Sequence, residues 1–269
     1  MIPHEFDLKD KTIIISGASR GLGKGIVRVF AEAGAKVLVT ALTDRYLGPL
    51  AEELDAAGHP IETLTGDATR EDDWQRVIET AIDKWGRIDV LVNTLGDAVF
   101  KPVVPRPGTD DKEGFTEDDW NFVMDINLKG VYLGCKAIGP HFLERRQGKI
   151  INIGAWIVRK TMPGYTVWSA AKAAVHKLTE SLAAEWGPYG VNVNGIATGG
   201  IPDLETNPPE VIAWQKEFAR KHVPLGGRYG ELREVGLTAL FLASDASSFM
   251  TGEMLYLDGG MSRIHGVLA

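Results

Sequence analysis

The chain has 269 residues, 44% hydrophobic and 24% charged, the composition of an ordinary soluble globular protein with ample apolar material for one large α/β domain. A formal net charge of −7 argues against non-specific nucleic-acid binding and against an anionic membrane surface, and no run of about eighteen apolar residues offers a membrane span. One cysteine, Cys135, cannot close an internal disulfide, and the acidic start MIPHEFDLKD has neither a basic nor an apolar leader region, so a reducing, cytoplasmic setting is expected.

In chain order the first half alternates short β-branched runs with longer helical patterns, the grammar of βαβ units and a parallel sheet. KTIIISG reads as a strand, GKGIVRVFAEAG as an amphipathic helix ended by Gly34, and AKVLVTAL as the next strand. YLGPLAEELDAAG is a helix and PIETLTGDA a strand; EDDWQRVIETAIDKWG follows as a helix with an acidic first turn, then IDVLVNTLG as a buried strand. TEDDWNFVMDINLKGVYLGCKAIGPHFLERR is a long helical stretch with Thr116 at its N-cap. GKIINIG, residues 166–186, VNVNGIAT, REVGLTALFLAS and EMLYLDGG supply a strand, a helix, a strand, a helix and a last strand. There is no repeat and no low-complexity tract, and 1–269 reads as one domain.

Two segments interrupt this economy. Residues 97–115, DAVFKPVVPRPGTDDKEGF, are too long for a routine connection, and residues 199–227 form a second excursion with WQKEFARK as a short helix inside it. Both follow strand C-termini, where ligands bind in open parallel sheets, so they read as substrate walls; two solvated surface loops are the plainer alternative.

The first strand runs into SGASRGLG, where Gly17, Gly21 and Gly23 open a helix. Glycines there let the backbone approach a pyrophosphate, and the helix N-terminus sets free N–H groups against it, with Ser19, Arg20 and Leu22 carried in the same turn. With its later segments, this turn resembles the classical short-chain dehydrogenase/reductase family over essentially the whole chain. The GDA at 66–68 matches the family's adenine-contacting segment, with Asp67 and Ala68; NTLG at 93–96 is similar to its N-N-A-G turn, keeping Asn93 and Gly96. Asn127 in MDINLKG corresponds to an active-site asparagine, AAKAAVHKLTESLAAEWGPYGVNVN to the lysine helix with Lys172, and YLDGG to the last strand and turn. The resemblance implies a Rossmann-like doubly wound sheet with helices on both faces. It also implies a bound nicotinamide dinucleotide, a small-molecule substrate, and a homodimer or homotetramer built on the helices of Asn127 and Lys172.

The second strand, AKVLVTALTDRY, shows no carboxylate near Ala41 to select the ribose 2′-OH of NAD. Arg20, with Arg45, offers a partner for a 2′-phosphate, so NADP(H) is favoured over NAD(H); Arg20 and Arg45 as plain surface charges, and Asp44 as the selecting carboxylate, are the competing readings.

At the chemical centre the family uses Asn, Ser, Tyr and Lys, the tyrosine giving a proton to the substrate oxygen. Asn127 and Lys172 are present, but Trp168 stands at the tyrosine position and Ala155 at the serine position. An indole N–H donates a hydrogen bond and gives up no proton near neutral pH. Tyr165, seven residues before Lys172, shares a helical face with Trp168; its Tyr-x6-Lys spacing resembles the enoyl-acyl-carrier-protein reductase branch, although the glycine turn does not. Tyr165 is thus either the replacement donor or a structural loop residue, and Trp168 either a wall of the pocket or filler. The turn after the sixth strand is TGGIPD, with Thr198 for the family's proline, Ile201 kept for the cofactor's carboxamide, and Asp203 where a threonine often contacts the cofactor. His141, His176 and His222 match no site position, and no His/Cys/Asp cluster has metal-ligand spacing. Three functions are in view: an NADP(H) oxidoreductase with a non-standard site reducing an activated C=C or carbonyl group, a nucleotide-binding protein without turnover, and a non-redox lyase or cyclase.

Overall fold

The computed structural model describes residues 3–264. One seven-stranded sheet runs through the molecule: β1 (Thr12–Ser16), β2 (Lys36–Ala41), β3 (Glu62–Thr65), β4 (Val90–Asn93), β5 (Gly148–Ala155), β6 (Val191–Thr198) and β7 (Met254–Leu257). Their order is β3-β2-β1-β4-β5-β6-β7 and every neighbouring pair is parallel. The eight α-helices among the described residues are α1 (Gly21–Glu32), α2 (Leu47–Ala56), α3 (Glu71–Trp85), α4 (Glu117–Met124), α5 (Gly130–Arg145), α6 (Thr166–Trp186), α7 (Pro209–His222) and α8 (Leu232–Ala243). None is long and apolar enough to cross a membrane.

The continuous apolar runs of the inner strands follow from burial on both faces. Ile13 and Ile15 of β1, Val37 and Val39 of β2, and Val90 and Val92 of β4 point into a core shared with α1, α2 and α8. The intervening Ile14, Leu38 and Leu91 point the other way, into a core shared with α3, α5 and α6. This period of two places helices on both faces, as in a doubly wound Rossmann-like sheet. Across the sheet runs a buried polar chain: Ser16 Oγ donates to Asn93 Oδ1 at 3.3 Å, Asn93 Nδ2 to Asn152 Oδ1 at 2.9 Å, and Asn152 Nδ2 to Thr179 Oγ1 at 3.0 Å. Each member is satisfied by the next, so the chain fixes the register of β1, β4, β5 and α6 without leaving a buried donor orphaned.

Thr116 caps α4 through a reciprocal box: the Asp119 N–H donates to Thr116 Oγ1 at 3.1 Å and the Thr116 N–H to Asp119 Oδ2 at 3.0 Å. The long helical stretch expected beyond it is divided by a π-helical turn, Asp125–Lys129, centred on Asn127. Such turns widen a helix locally and are frequent at functional sites. The helix within the second excursion is also longer than WQKEFARK, spanning the 14 residues of α7. The strand order reverses between β1 and β4, which opens a crevice at their C-terminal ends, and the C-terminal ends of β5 and β6 continue the same edge of the sheet beside it.

Candidate active site

Gly17 has φ +69°, and a Cβ there would stand 2.7 Å from Leu95 Cδ2; a Cβ on Gly23 would stand 2.5 Å from Ala18 Cα. The turn therefore demands glycine at its first and last positions, which brings β1 directly onto the start of α1. Ser19, Gly21 and Leu22 are part-exposed there, and Arg20 is exposed at the N-cap of α1. The Gly21 N–H already has an acceptor, Asp203 Oδ2 at 2.8 Å, and Lys24 Nζ reaches Asp203 Oδ1 at 3.3 Å.

The 66–68 segment lies beyond β3. Asp67 Oδ1 accepts from the Thr69 hydroxyl at 2.7 Å and from the Thr69 N–H at 2.9 Å. These bonds, the hydroxyl's foremost, outweigh burial and hold the Asp67 carboxyl below its ordinary range. The Ala68 carbonyl accepts the Trp74 indole N–H at 2.9 Å, which ties the segment to α3. Asn93 is 0% exposed and its side chain is spent within the polar chain of the sheet.

Lys172 and Asn127 converge. Lys172 is 3% exposed, and its Nζ donates to the carbonyls of Leu95 at 3.2 Å and Ile153 at 3.1 Å. Burial lowers its pKa to about 8. Asn127 Nδ2 donates to the Asp97 carbonyl at 2.6 Å and to the Val123 carbonyl at 2.9 Å, while Asn127 Oδ1 is buried without a partner among the described residues. Between them is Gly96, exposed and without a side chain, where a Cβ would lie 3.1 Å from both Lys172 Nζ and Asn127 Oδ1. The result is a small cradle with a cation on one side and an unused acceptor on the other. Ile201 packs against the core and faces Gly230.

Above the cradle the surroundings turn aromatic. Ala155 ends β5, buried at 2% exposure, and Trp156 follows it into a short 3-10 turn. Tyr165 is the N-cap residue of α6, and its carbonyl accepts the Ser169 N–H at 2.8 Å, so the first turn is already helical there. Its ring stands 5.8 Å from that of Trp168, edge on, and 4.4 Å from that of Phe100. Phe100 comes from the first excursion, which Lys101 fastens to α4 through Asp119 at 3.0 Å. Phe218 and Tyr229, from the second excursion and its continuation, close the other side, 6.3 Å apart and packed with Tyr165 and Trp168 on the core of Ala155, Trp156 and Ala219. Burial raises the Tyr165 phenol, and burial followed by the proximity of Tyr165 pushes Tyr229 up to about 12.

The structure brings the sequence-proposed Tyr165, Trp168, Lys172, Asn127 and Gly96 to one end of the sheet. Sequence reasoning missed Phe100, Phe218 and Tyr229, which no spacing links because two loops and α7 deliver them. It also missed the engagement of Asp203 with Lys24; a lysine directly after the last turn glycine was the available signal. His141 accepts the Ile88 N–H at 3.0 Å and His222 stacks on Phe218 at 4.1 Å. His176 is buried with its Nε2 unpartnered, and no cluster among the described residues could hold a metal ion.

A family model described as Enoyl-(Acyl carrier protein) reductase matches residues 17–262. The 3-oxoacyl-[acyl-carrier-protein] reductase FabG of Thermotoga maritima is 33% identical over 259 residues, 94% of this chain and 98% of the relative. The oxidoreductase UcpA of Salmonella typhimurium is 37% identical over 263 residues, 94% of this chain and 95% of the relative. A gluconate 5-dehydrogenase from Burkholderia cenocepacia, solved in complex with NADP and tartrate, superimposes with a TM-score of 0.86 at 31% identity, covering 97% of this chain and 98% of that one. These names span several reactions, so they fix the family and leave the reaction to the site. With its glycine turn, its sheet order and these relatives together, the chain belongs to the classical short-chain dehydrogenase/reductase family of NAD(P)-dependent oxidoreductases acting on small molecules.

Proposed function

We propose that this protein uses NADP(H) to reduce an activated C=C or carbonyl group of a small, flat molecule at a non-standard site in which Tyr165 takes over from the missing phenol. The observation that carries the reading is the placement of Tyr165. It stands beside Trp168 at the head of the helix that bears Lys172, within an aromatic enclosure.

The residues present fit a dinucleotide. Gly17 and Gly23 are required by close backbone approach, and the cradle at Gly96 offers a buried ammonium and an unpartnered amide oxygen to ribose hydroxyls. Lys172 and Asn127 would hold the nicotinamide ribose, Ile201 the carboxamide, and Asp67 with Ala68 the adenine; Asn93 acts by anchoring the turn. When bound, the dinucleotide supplies a hydride. Arg20, exposed and without an ion-pair partner among the described residues, supports NADP(H) over NAD(H). The Asp44 carboxylate lies against the start of α2, 3.2 Å from where a Gly48 Cβ would be, and Arg45 lies over the Tyr46 ring at 5.0 Å. The Burkholderia relative was solved with NADP.

In this site Tyr165 donates a hydrogen bond to the substrate oxygen as negative charge develops there. A double bond conjugated to a carbonyl suits such a donor better than a simple ketone, because hydride adds at the β-carbon, the donor stabilises the resulting enolate oxygen, and the α-carbon then takes its proton from water. Trp168, Phe100 and Phe218 stack the substrate, the two excursions forming the walls. Exposed Trp120, Phe122 and Tyr132 on α4 and α5 support assembly of copies through that face. The test is hydride transfer from 4-deuterated NADPH to a panel of enones, enoyl thioesters and diketones. Label in a product supports the reading; tight NADPH binding with no transfer across the panel supports a binding protein instead.

A further inference from the structure

The first turn of α1 offers N–H groups and positive potential to the pyrophosphate of a dinucleotide. Here the chain supplies its own anion to that turn. Asp203, 4% exposed, accepts the Gly21 N–H at 2.8 Å and pairs with Lys24, 5% exposed, at 3.3 Å. Lys24 also pairs with Glu205 at 2.8 Å, Arg28 one turn further along α1 pairs with Glu205 at 3.0 Å and Glu53 at 2.7 Å, and the Glu205 N–H donates to Asp203 Oδ1 at 3.1 Å. Two carboxylates of the segment after β6 are thereby clamped onto two cations of α1. Burial alone would raise the Asp203 carboxyl, but the N–H groups of Gly21 and Glu205, the Thr206 hydroxyl and the Lys24 charge together hold it below its ordinary range.

A pyrophosphate brings two further negative charges to the same turn, and two anions cannot share one set of donors. We propose that the Asp203 carboxylate is an intramolecular competitor for the cofactor's pyrophosphate, so that dinucleotide binding displaces Asp203 from Gly21. This rests on the dinucleotide-binding reading given above. The exchange leaves the Lys24 ammonium facing the phosphate, so the ion pair lost to Asp203 is re-formed with the ligand. It also moves the lead-in to α7, whose Phe218 and Ala219 pack on the aromatic enclosure. Asp203 therefore sets cofactor affinity and couples the cofactor end of the site to the substrate wall.

The test compares wild type with Asp203→Asn and Asp203→Ser, titrating NADPH, ADP-ribose and adenosine 2′-monophosphate by intrinsic fluorescence and following thermal unfolding in parallel. Both variants should bind NADPH and ADP-ribose at least about tenfold more tightly, a gain of about 1.4 kcal/mol. Without ligand they should melt below wild type, having lost a buried ion pair, and adenosine 2′-monophosphate, which lacks a pyrophosphate, should bind all three alike. In wild type, ADP-ribose should speed hydrogen exchange in residues 203–208, where the Glu205 N–H loses its acceptor; this holds even if neither variant folds. Dinucleotide affinity unchanged or weakened in the variants, or exchange at 203–208 unchanged or slowed, overturns the competitor alone. Absence of NADPH binding in every protein overturns the cofactor reading along with it.

Discussion

At the ends of β1 and β4 the site is made of backbone, with glycines at forced positions and the Leu95 carbonyl accepting from Lys172; at the ends of β5 and β6 the same edge of the sheet is made largely of rings. The first region has little freedom to vary, because a Cβ at Gly17 or Gly23 meets Leu95 or Ala18. In the second, Tyr165 and Trp168 pack side chain to side chain against a cluster that holds Ala155 and Trp156. Under the proposed function, dinucleotide binding draws on the turn geometry and the choice of reaction on the ring side chains, so the two should respond to substitution separately.

The comparison breaks most sharply at Lys172, which belongs to both regions. Lys172→Met should lower turnover on the order of 10²–10³-fold, since it removes the one cation in the cradle. Wild-type turnover should fall as pH rises through about 8, where the buried ammonium loses its proton. A steady-state pH profile of both proteins checks this.

The reverse experiment sharpens the contrast. Restoring the family's pair with Trp168→Tyr and Ala155→Ser should raise reduction of simple ketones by about 10²-fold, the usual worth of a positioned acid. NADPH affinity should stay as it was, because neither residue belongs to the glycine turn.

A third outcome concerns stability. Burial first, then the charges of Lys172 and Arg159, lower the His176 pKa to about 4, with Glu180 opposing. The unfolded chain, with an ordinary value near 6.5, binds the proton more readily between these values, so stability is lost as pH falls from about 6.5 towards 4. The contribution is about 2–3 kcal/mol, and urea unfolding at pH 7 and pH 4.5 should show it shrinking in His176→Asn. The smallest effect lies at the ribose 2′ position: Arg20→Ala should cut the preference for NADPH over NADH by about three- to tenfold, an exposed charge being screened by solvent.

Much of the first region was legible in the sequence. The alternation of β-branched runs and helices gave seven strands, Thr116 gave the start of α4, and residues 166–186 are α6. These follow from local periodicity and capping, which act over a few residues. The widened turn at Asn127 was not legible, because it depends on an amide reaching the distant Asp97 carbonyl. Nor was the fate of Asn93, whose side chain is consumed by partners on β1 and β5 that only strand pairing brings near. The aromatic enclosure and the Asp203 clamp have the same cause: residues up to 182 positions apart meet through tertiary folding alone.

The central claim is that the hydrogen-bond donor to the substrate oxygen has moved from position 168 to Tyr165, and a paired substitution addresses it directly. Single-turnover transfer from 4-deuterated NADPH to an accepted enone should drop about 10²-fold in Tyr165→Phe and stay within about threefold in Trp168→Phe. Transfer that survives in Tyr165→Phe and fails in Trp168→Phe would contradict the account.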